Sequence, residues 1–288
     1  MTRNVAHGAE ARRRVDELRH ALEELLRNRD ARTSLERDPL GIVHTFRSAA
    51  DREVVGLLAS MLAFGNVETI RSKVREALER LGGAPARRIE DDSLRALRRR
   101  FDGFVHRVYR GEHIAEMLHR TGKVRKRDGS LGATLQAHLD DHRGDLRESL
   151  ALLADELRGP DPAPGLRHLL ADPRSNSACK RWHLYLRWMV RPADGVDLGL
   201  WPLPASMLQI PLDTHVLRIS QNLGLTKRKD ASWRTSSEVT AALAQLDPDD
   251  PVRYDFAICH LGVSRKCPRR QQPDLCAGCV LHSVCRRR

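Results

Sequence analysis

Apolar residues along this chain recur three and four positions apart far more often than they alternate, and that period predicts helices. Val15, Leu18, Leu22 and Leu25 form one stripe. Val54, Leu57, Leu58 and Leu62 form a second, with Asp51 as the N-cap that the spacing suggests. A third helix runs from about residue 67 through Ile70, Val74 and Leu78 and stops at Gly82-Gly83. Further helical stretches read at about 91–101, 111–121, 131–140, 143–157, 177–190, 213–223, 232–246 and 250–263. No segment alternates well enough to be a strand, so the predicted fold class is all-α. Pro- and Gly-rich breaks fall at 158–165 and 191–195.

Length and charge narrow this picture. A chain of 288 residues can bury a full core and has room for two lobes. Lys and Arg number 50 against 38 Asp and Glu, a net charge of +12 spread along the whole sequence, which points to a polyanion as partner. No apolar run approaches the roughly 18 residues that span a bilayer, and no signal-peptide core follows Met1. A cytoplasmic, nucleoid-associated protein is expected, with a monomer as the default state. In a reducing compartment, cysteines point to metal or redox chemistry rather than disulfides.

Three groups of residues carry candidate chemistry. Cys267, Cys276, Cys279 and Cys285 crowd the last 22 residues, with eight, two and five residues between them. Four thiolates held together need a metal to offset their repulsion. Asp213, in Pro211-Leu212-Asp213-Thr214-His215, opens a helix. It is either a plain cap or a rigid, ionised carboxylate able to stabilise a developing cation. Lys180 heads another helix, with His183, Arg187 and Arg191 on its own face and Trp182, Tyr185, Leu186 and Met189 on the buried one. A helix N-terminus flanked by cations disfavours an ammonium, and a neutral amine is a nucleophile. The plainer reading is a solvated basic face contacting phosphate.

Lys180 at a helix start, then Leu212-Asp213-Thr214-His215, then the terminal cysteines, occur in the order found in the helix-hairpin-helix DNA glycosylase superfamily, which residues 50–288 resemble. The two closing cysteine intervals are similar to those of the cluster loop in endonuclease III and the adenine glycosylases, and the first is longer. The interval between Lys180 and Asp213 is more like that of the archaeal 8-oxoguanine glycosylases. Where endonuclease III has a glycine-rich hairpin turn, the stretch Ala171-Asp172-Pro173-Arg174-Ser175-Asn176-Ser177 has no glycine. Its grip on a phosphate would fall to Ser175, Asn176 and Ser177.

The resemblance implies a two-lobed fold, one lobe a helical barrel at 48–192 and the other built from 1–47 and 193–288 with the cluster loop. It implies a base-excision repair glycosylase acting on double-stranded DNA that contains a damaged base, with an oxidised purine favoured. Lys180 and Asp213 would be catalytic, with an abasic-site lyase step through Lys180. Asn66, in Ala63-Phe64-Gly65-Asn66, would enter the duplex in place of the extruded nucleotide, or simply cap a helix C-terminus. Arg187, Arg191, Arg265, Lys266, Arg269 and Arg270 would contact the DNA backbone. The cysteines would hold a 4Fe-4S cluster, zinc being the alternative, since only Cys276 and Cys279 form the close pair that zinc prefers. Cys259 reads as core. The four tryptophans could stack on a base but suit the core better. The rival to an enzyme is an inactive protein of the same fold that binds lesions or abasic sites.

Overall fold

A computed structural model describes the backbone of residues 2–264 and 267–286. Contacts divide the chain into a larger unit, Ala31–Leu203, and a smaller one formed by Met1–Asp30 with Pro204–Arg288. After α1 (Thr2–Arg27), the larger unit runs through α2 (Ala31–Arg37), α3 (Pro39–Val43), α4 (Ala49–Met61), α5 (Val67–Leu81), α6 (Pro85–Asp91) and α7 (Leu94–Arg100). A short hairpin, β1 (Val105–His106) and β2 (Tyr109–Arg110), interrupts the helices. Then come α8 (Gly111–Asp128), α9 (Leu131–Asp141), α10 (Leu146–Arg158), α11 (Pro164–Leu169) and α12 (Lys180–Val190). The smaller unit continues with a 3₁₀ turn (Ala205–Met207), α13 (Thr214–Leu223), α14 (Trp233–Ala244), α15 (Asp255–Ser264) and α16 (Pro273–Cys276). The fold is predominantly helical, as the apolar period predicts. No helix among the described residues is long and apolar enough to cross a membrane.

Helix starts follow local chemistry, with one difference from expectation. The cap of α4 is Ser48, not Asp51: its hydroxyl accepts from the Asp51 amide at 3.0 Å and donates to the Asp51 carboxylate at 2.9 Å. Asp51 therefore sits in the first turn, where its charge meets the positive end of the helix. Gly82, at φ 85°, ends α5 in a backbone region that favours glycine.

The core of the larger unit is built around α4 and α12, which pack directly on one another. Gly56 makes this close approach possible, because a Cβ there would come within 2.6 Å of the Met189 side chain. Glu53, on the same helix, is almost fully buried. Its carboxylate accepts from the Leu131 amide at 3.1 Å, the Gly132 amide at 3.4 Å and the Trp201 indole at 2.8 Å, and it pairs with Arg125. One carboxylate thus ties together α4, the N-terminus of α9, α8 and the segment after α12.

α12 is buried on nearly every side, including the face expected to carry a solvated basic stripe. Arg187 and Arg191 are 2% and 6% exposed and both pair with Asp197, Arg187 at 3.1 Å. Their burial overturns their expected contact with a DNA backbone: the cations are neutralised inside the unit by a carboxylate in the following loop. His183 is buried too, and burial pushes its imidazole down to about 3. The tryptophans Trp182, Trp188, Trp201 and Trp233 are all core residues.

Two outcomes are expected. Replacing Glu53 by Ala leaves the Arg125 guanidinium and three donors without their shared acceptor, and should cost about 3–5 kcal/mol in denaturant unfolding. Replacing Glu53 and Arg125 together by Met should recover much of that loss, and a Glu53→Ala cost below about 1 kcal/mol would remove the carboxylate from its central place. His183 stays neutral in the fold but protonates in the unfolded chain below its ordinary value near 6.5. Its contribution is therefore complete above that value and is lost as pH falls from there toward 3. Between pH 6 and 4, His183→Leu should flatten the decline in stability by about 1.4 kcal/mol per pH unit. An unchanged slope would show that His183 is not neutral in the native state.

Candidate functional site

In the larger unit, the start of α12 borders a cavity of about 170 Å³. Lys180, the first residue of the helix, lines it together with Phe64, His168, Leu169, Cys179 and Trp182. The residue that positions Lys180 is Cys179, which takes up a left-handed backbone (φ 44°, ψ 38°) that non-glycine residues adopt at a cost of about 1–2 kcal/mol. Its amide donates to the Ser177 hydroxyl at 3.2 Å, and its thiol, pushed up to about 11 by burial, lies 3.7 Å from the Asp172 carbonyl oxygen. Cys179 is a buried, protonated thiol at the turn that aims the lysine.

One wall of the cavity is an aromatic and cationic cluster. Phe64, on the α4–α5 loop, is 40% exposed, unusual for a residue of its size in this chain. Its ring meets His168 edge-on at 5.6 Å, and the Arg107 guanidinium lies over it at 5.2 Å from the centroid. Gly65, at φ 117°, leaves the room that Arg107 occupies: a Cβ there would come within 2.2 Å of the guanidinium. The hairpin carrying Arg107 is braced by His106, whose Nε2 donates to the Leu62 carbonyl at 3.0 Å. Behind Phe64, the Tyr109 hydroxyl lies 2.9 Å from His168 Nδ1. Arg181 donates to the Tyr109 hydroxyl and to the carbonyls of His168 and Met61, the last at 3.2 Å.

The smaller unit holds the other two candidate features. Asp213 caps α13, its Oδ1 accepting from the His215 and Val216 amides at 2.8 Å each. Cys259, expected in the core, is half-buried on α15 with its thiol 3.9 Å from Asp213 Oδ2. His215 accepts at Nδ1 from Arg218 at 3.0 Å, which makes it a hydrogen-bonded neighbour of the cap. All four terminal cysteines line one small cavity of about 40 Å³, walled by Ile219, Leu223, Leu261 and Leu281. Asn222 donates to Cys267 Sγ at 3.5 Å, and the Gln272 amide to Cys276 Sγ at 3.4 Å. Arg14, from α1, donates to the Leu223 and Val284 carbonyls and stitches this loop to the end of α13. Among the described residues, no three His, Cys, Asp or Glu side chains stand close enough to hold a single metal ion.

The remaining candidates are dispersed. Ser175, Asn176 and Ser177 are exposed on the loop between α11 and α12, and Arg269 and Arg270 are exposed beside Cys267. Arg265 and Lys266 lie outside the described residues. Asn66 is the N-cap of α5 rather than a C-cap of α4: its carboxamide oxygen accepts from the Glu68 and Thr69 amides at 2.9 and 3.3 Å. Phe64, two residues earlier, is an exposed large apolar side chain of that loop and was not singled out by the sequence. Its signal was there, an aromatic followed by glycine at a helix junction. Tyr109, His168 and Arg181 had none, since only the tertiary fold brings them together.

A family model described as a protein of unknown function, DUF2400, matches residues 38–264, a span that includes Lys180 and Asp213 and ends before the terminal cysteines. No curated protein and no solved structure matches. The matched span takes in most of the sequence, and the chain belongs to the DUF2400 family of proteins of unknown function.

Proposed function

We propose that this protein is a DNA glycosylase that removes a damaged base, an oxidised purine being the favoured class, and cleaves the resulting abasic site. The observation that carries the reading is Lys180 at the first turn of α12, bordering a cavity of about 170 Å³ beside an exposed aromatic ring. A base within a duplex cannot be reached at its glycosidic bond, so it must be flipped into such a cavity, with aromatic surface available to contact it. The net charge of +12 suits a phosphate-rich partner.

In the proposed reaction the Lys180 amine, after giving up a proton, attacks C1′ of the sugar. A C–N bond forms as the glycosidic bond breaks, and the departing base takes the bonding electrons and then a proton. Opening of the sugar ring gives a Schiff base. Loss of a proton from the adjacent carbon then expels the 3′-phosphate and nicks the strand. Asp213, its Oδ1 held by two amides, would stabilise positive charge on the sugar as the bond breaks. Ser175, Asn176, Ser177, Arg269 and Arg270 supply exposed polar and cationic groups for the DNA backbone.

The cysteine loop suits a 4Fe-4S cluster better than a single zinc ion. Four thiols line one apolar-walled cavity, two of them receive N–H donors, and only Cys276 and Cys279 form the close sequence pair that zinc prefers. When bound, a cluster would cross-link the loop and present Arg269 and Arg270 in a fixed arrangement.

Incubation with duplexes carrying single lesions should yield base excision, and borohydride with abasic DNA should trap a covalent adduct that Lys180→Gln abolishes. Asp213→Asn should lower excision by about 10²-fold or more. Tight DNA binding without excision of any lesion would favour the lesion-binding alternative instead. Protein purified without oxygen should be coloured and contain iron and acid-labile sulfide in equal amounts, and Cys276→Ser should lose both. A colourless protein with stoichiometric zinc would assign the loop to zinc.

A further inference from the structure

The wall of the Lys180 cavity contains a hydrogen-bond relay that the proposed reaction does not use. Arg181 carries only donors, so its contact with the Tyr109 hydroxyl occupies an oxygen lone pair and places a positive charge beside that oxygen. The hydroxyl hydrogen is then directed to the nearest acceptor, His168 Nδ1, at 2.9 Å. Burial pushes the tyrosine up, so it keeps its proton, while partial desolvation and the Arg181 charge hold the imidazole of the exposed His168 below its ordinary value. A neutral imidazole that accepts at Nδ1 carries its hydrogen on Nε2. That nitrogen makes no hydrogen bond to another described residue. The ring is held in place by the edge contact with Phe64 and by Tyr109, whose ring centroid is 5.7 Å away.

We infer that the Nε2–H of His168 is a fixed donor that selects the ligand of this cavity, and that the preferred ligand is a flat nitrogen heterocycle bearing a carbonyl oxygen. In identifying that heterocycle as a nucleobase, the inference rests on the proposed excision function. The donor's orientation rests only on the relay. His168 acts here as a specificity residue, with Arg181 and Tyr109 as positioning residues that set its tautomer. A protonated imidazolium would also donate from Nε2, but it would attract any anion. A neutral ring with a locked tautomer instead distinguishes a carbonyl from a ring that lacks one, and rejects a donor presented at the same place. One hydrogen bond in a partly open cavity corresponds to a preference of about tenfold.

The full chain labelled with ¹⁵N-histidine provides the test. His168 ring signals, identified by their loss in His168→Gln, should show the Nε2–H tautomer at neutral pH, and Tyr109→Phe should convert them to a mixture. Hypoxanthine, which carries a carbonyl, should shift the His168 Nε2 signal at about one-tenth the concentration needed for unsubstituted purine. A hydrogen on Nδ1, an imidazolium at neutral pH, equal responses to the two purines, or no response to either would overturn the inference. DNA assays separate it from the excision reading. If hypoxanthine perturbs His168 but no lesion is excised, the donor stands and excision fails. If lesions are excised and His168→Ala leaves the preference for carbonyl-bearing bases unchanged, excision stands and the donor fails. His168→Gln, whose side-chain amide can donate from nearly the same position, should keep most of the preference that His168→Ala loses.

Discussion

The larger unit buries Arg125, Arg158, Arg187 and Arg191, and it is organised by what neutralises them. Glu53 is the centre of that arrangement. Its carboxylate meets Arg125, two amides at the start of α9 and the Trp201 indole, so four segments share one anion. Desolvating a carboxylate costs several kcal/mol, which only a full set of donors offsets. The apolar core around it tolerates many arrangements of similar side chains, whereas this set of donors is satisfied in one register of α4 against α8 and α9.

Asp197 does the same work at the other end of α12. It faces Arg187 and Arg191 from a loop whose shape is set by Asp194, which accepts from the Val196 and Asp197 amides at 3.0 Å each. α12 is thereby fixed along its length: by Asp197 at its C-terminal turns, by α4 in its middle, and by the left-handed Cys179 at its start. A strained turn persists only where the surroundings determine it more strongly than its own preference does. The rigid helix lets Cys179 hold that conformation, and Cys179 in turn aims Lys180 at the cavity. Precision at the lysine is therefore inherited from charge pairs within the same unit.

Much of the helical content was legible because a 3.6-residue period is a local property. Lys180 at a first turn and Asp213 at a cap were legible for the same reason. Arg187 and Arg191 were not, because the sign of a basic stripe does not say whether it faces water or a carboxylate. Their partner sits in a Pro- and Gly-containing stretch that reads only as a break. The cap of α4 went to Ser48 rather than Asp51 because both residues suit a helix start and the choice turns on where the chain enters from α3. The Phe64, Tyr109, His168 and Arg181 cluster joins residues up to 117 positions apart in the sequence, from a loop, a strand and two helices. No period spans such a distance.

Under the proposed function, the cluster would let the site be specific without many aromatic residues. At 4% aromatic content, with the tryptophans committed to the core, stacking alone gives this cavity little power to discriminate. Every nucleobase has a π-face, so under the proposed function a single ring such as Phe64 would contact all of them alike. Discrimination then has to come from hydrogen bonds of fixed polarity, which requires side chains whose hydrogens cannot rearrange. A histidine alone offers two tautomers, and a tyrosine alone offers a rotatable hydroxyl. Arginine has no alternative to donating, and placed behind both it removes each of those freedoms in turn. Under the proposed function the basic residues that dominate this sequence would have two distinct uses: as charge toward a polyanion where they are exposed, and, at the half-buried Arg181, as a means of fixing the direction of a neutral hydrogen-bond chain.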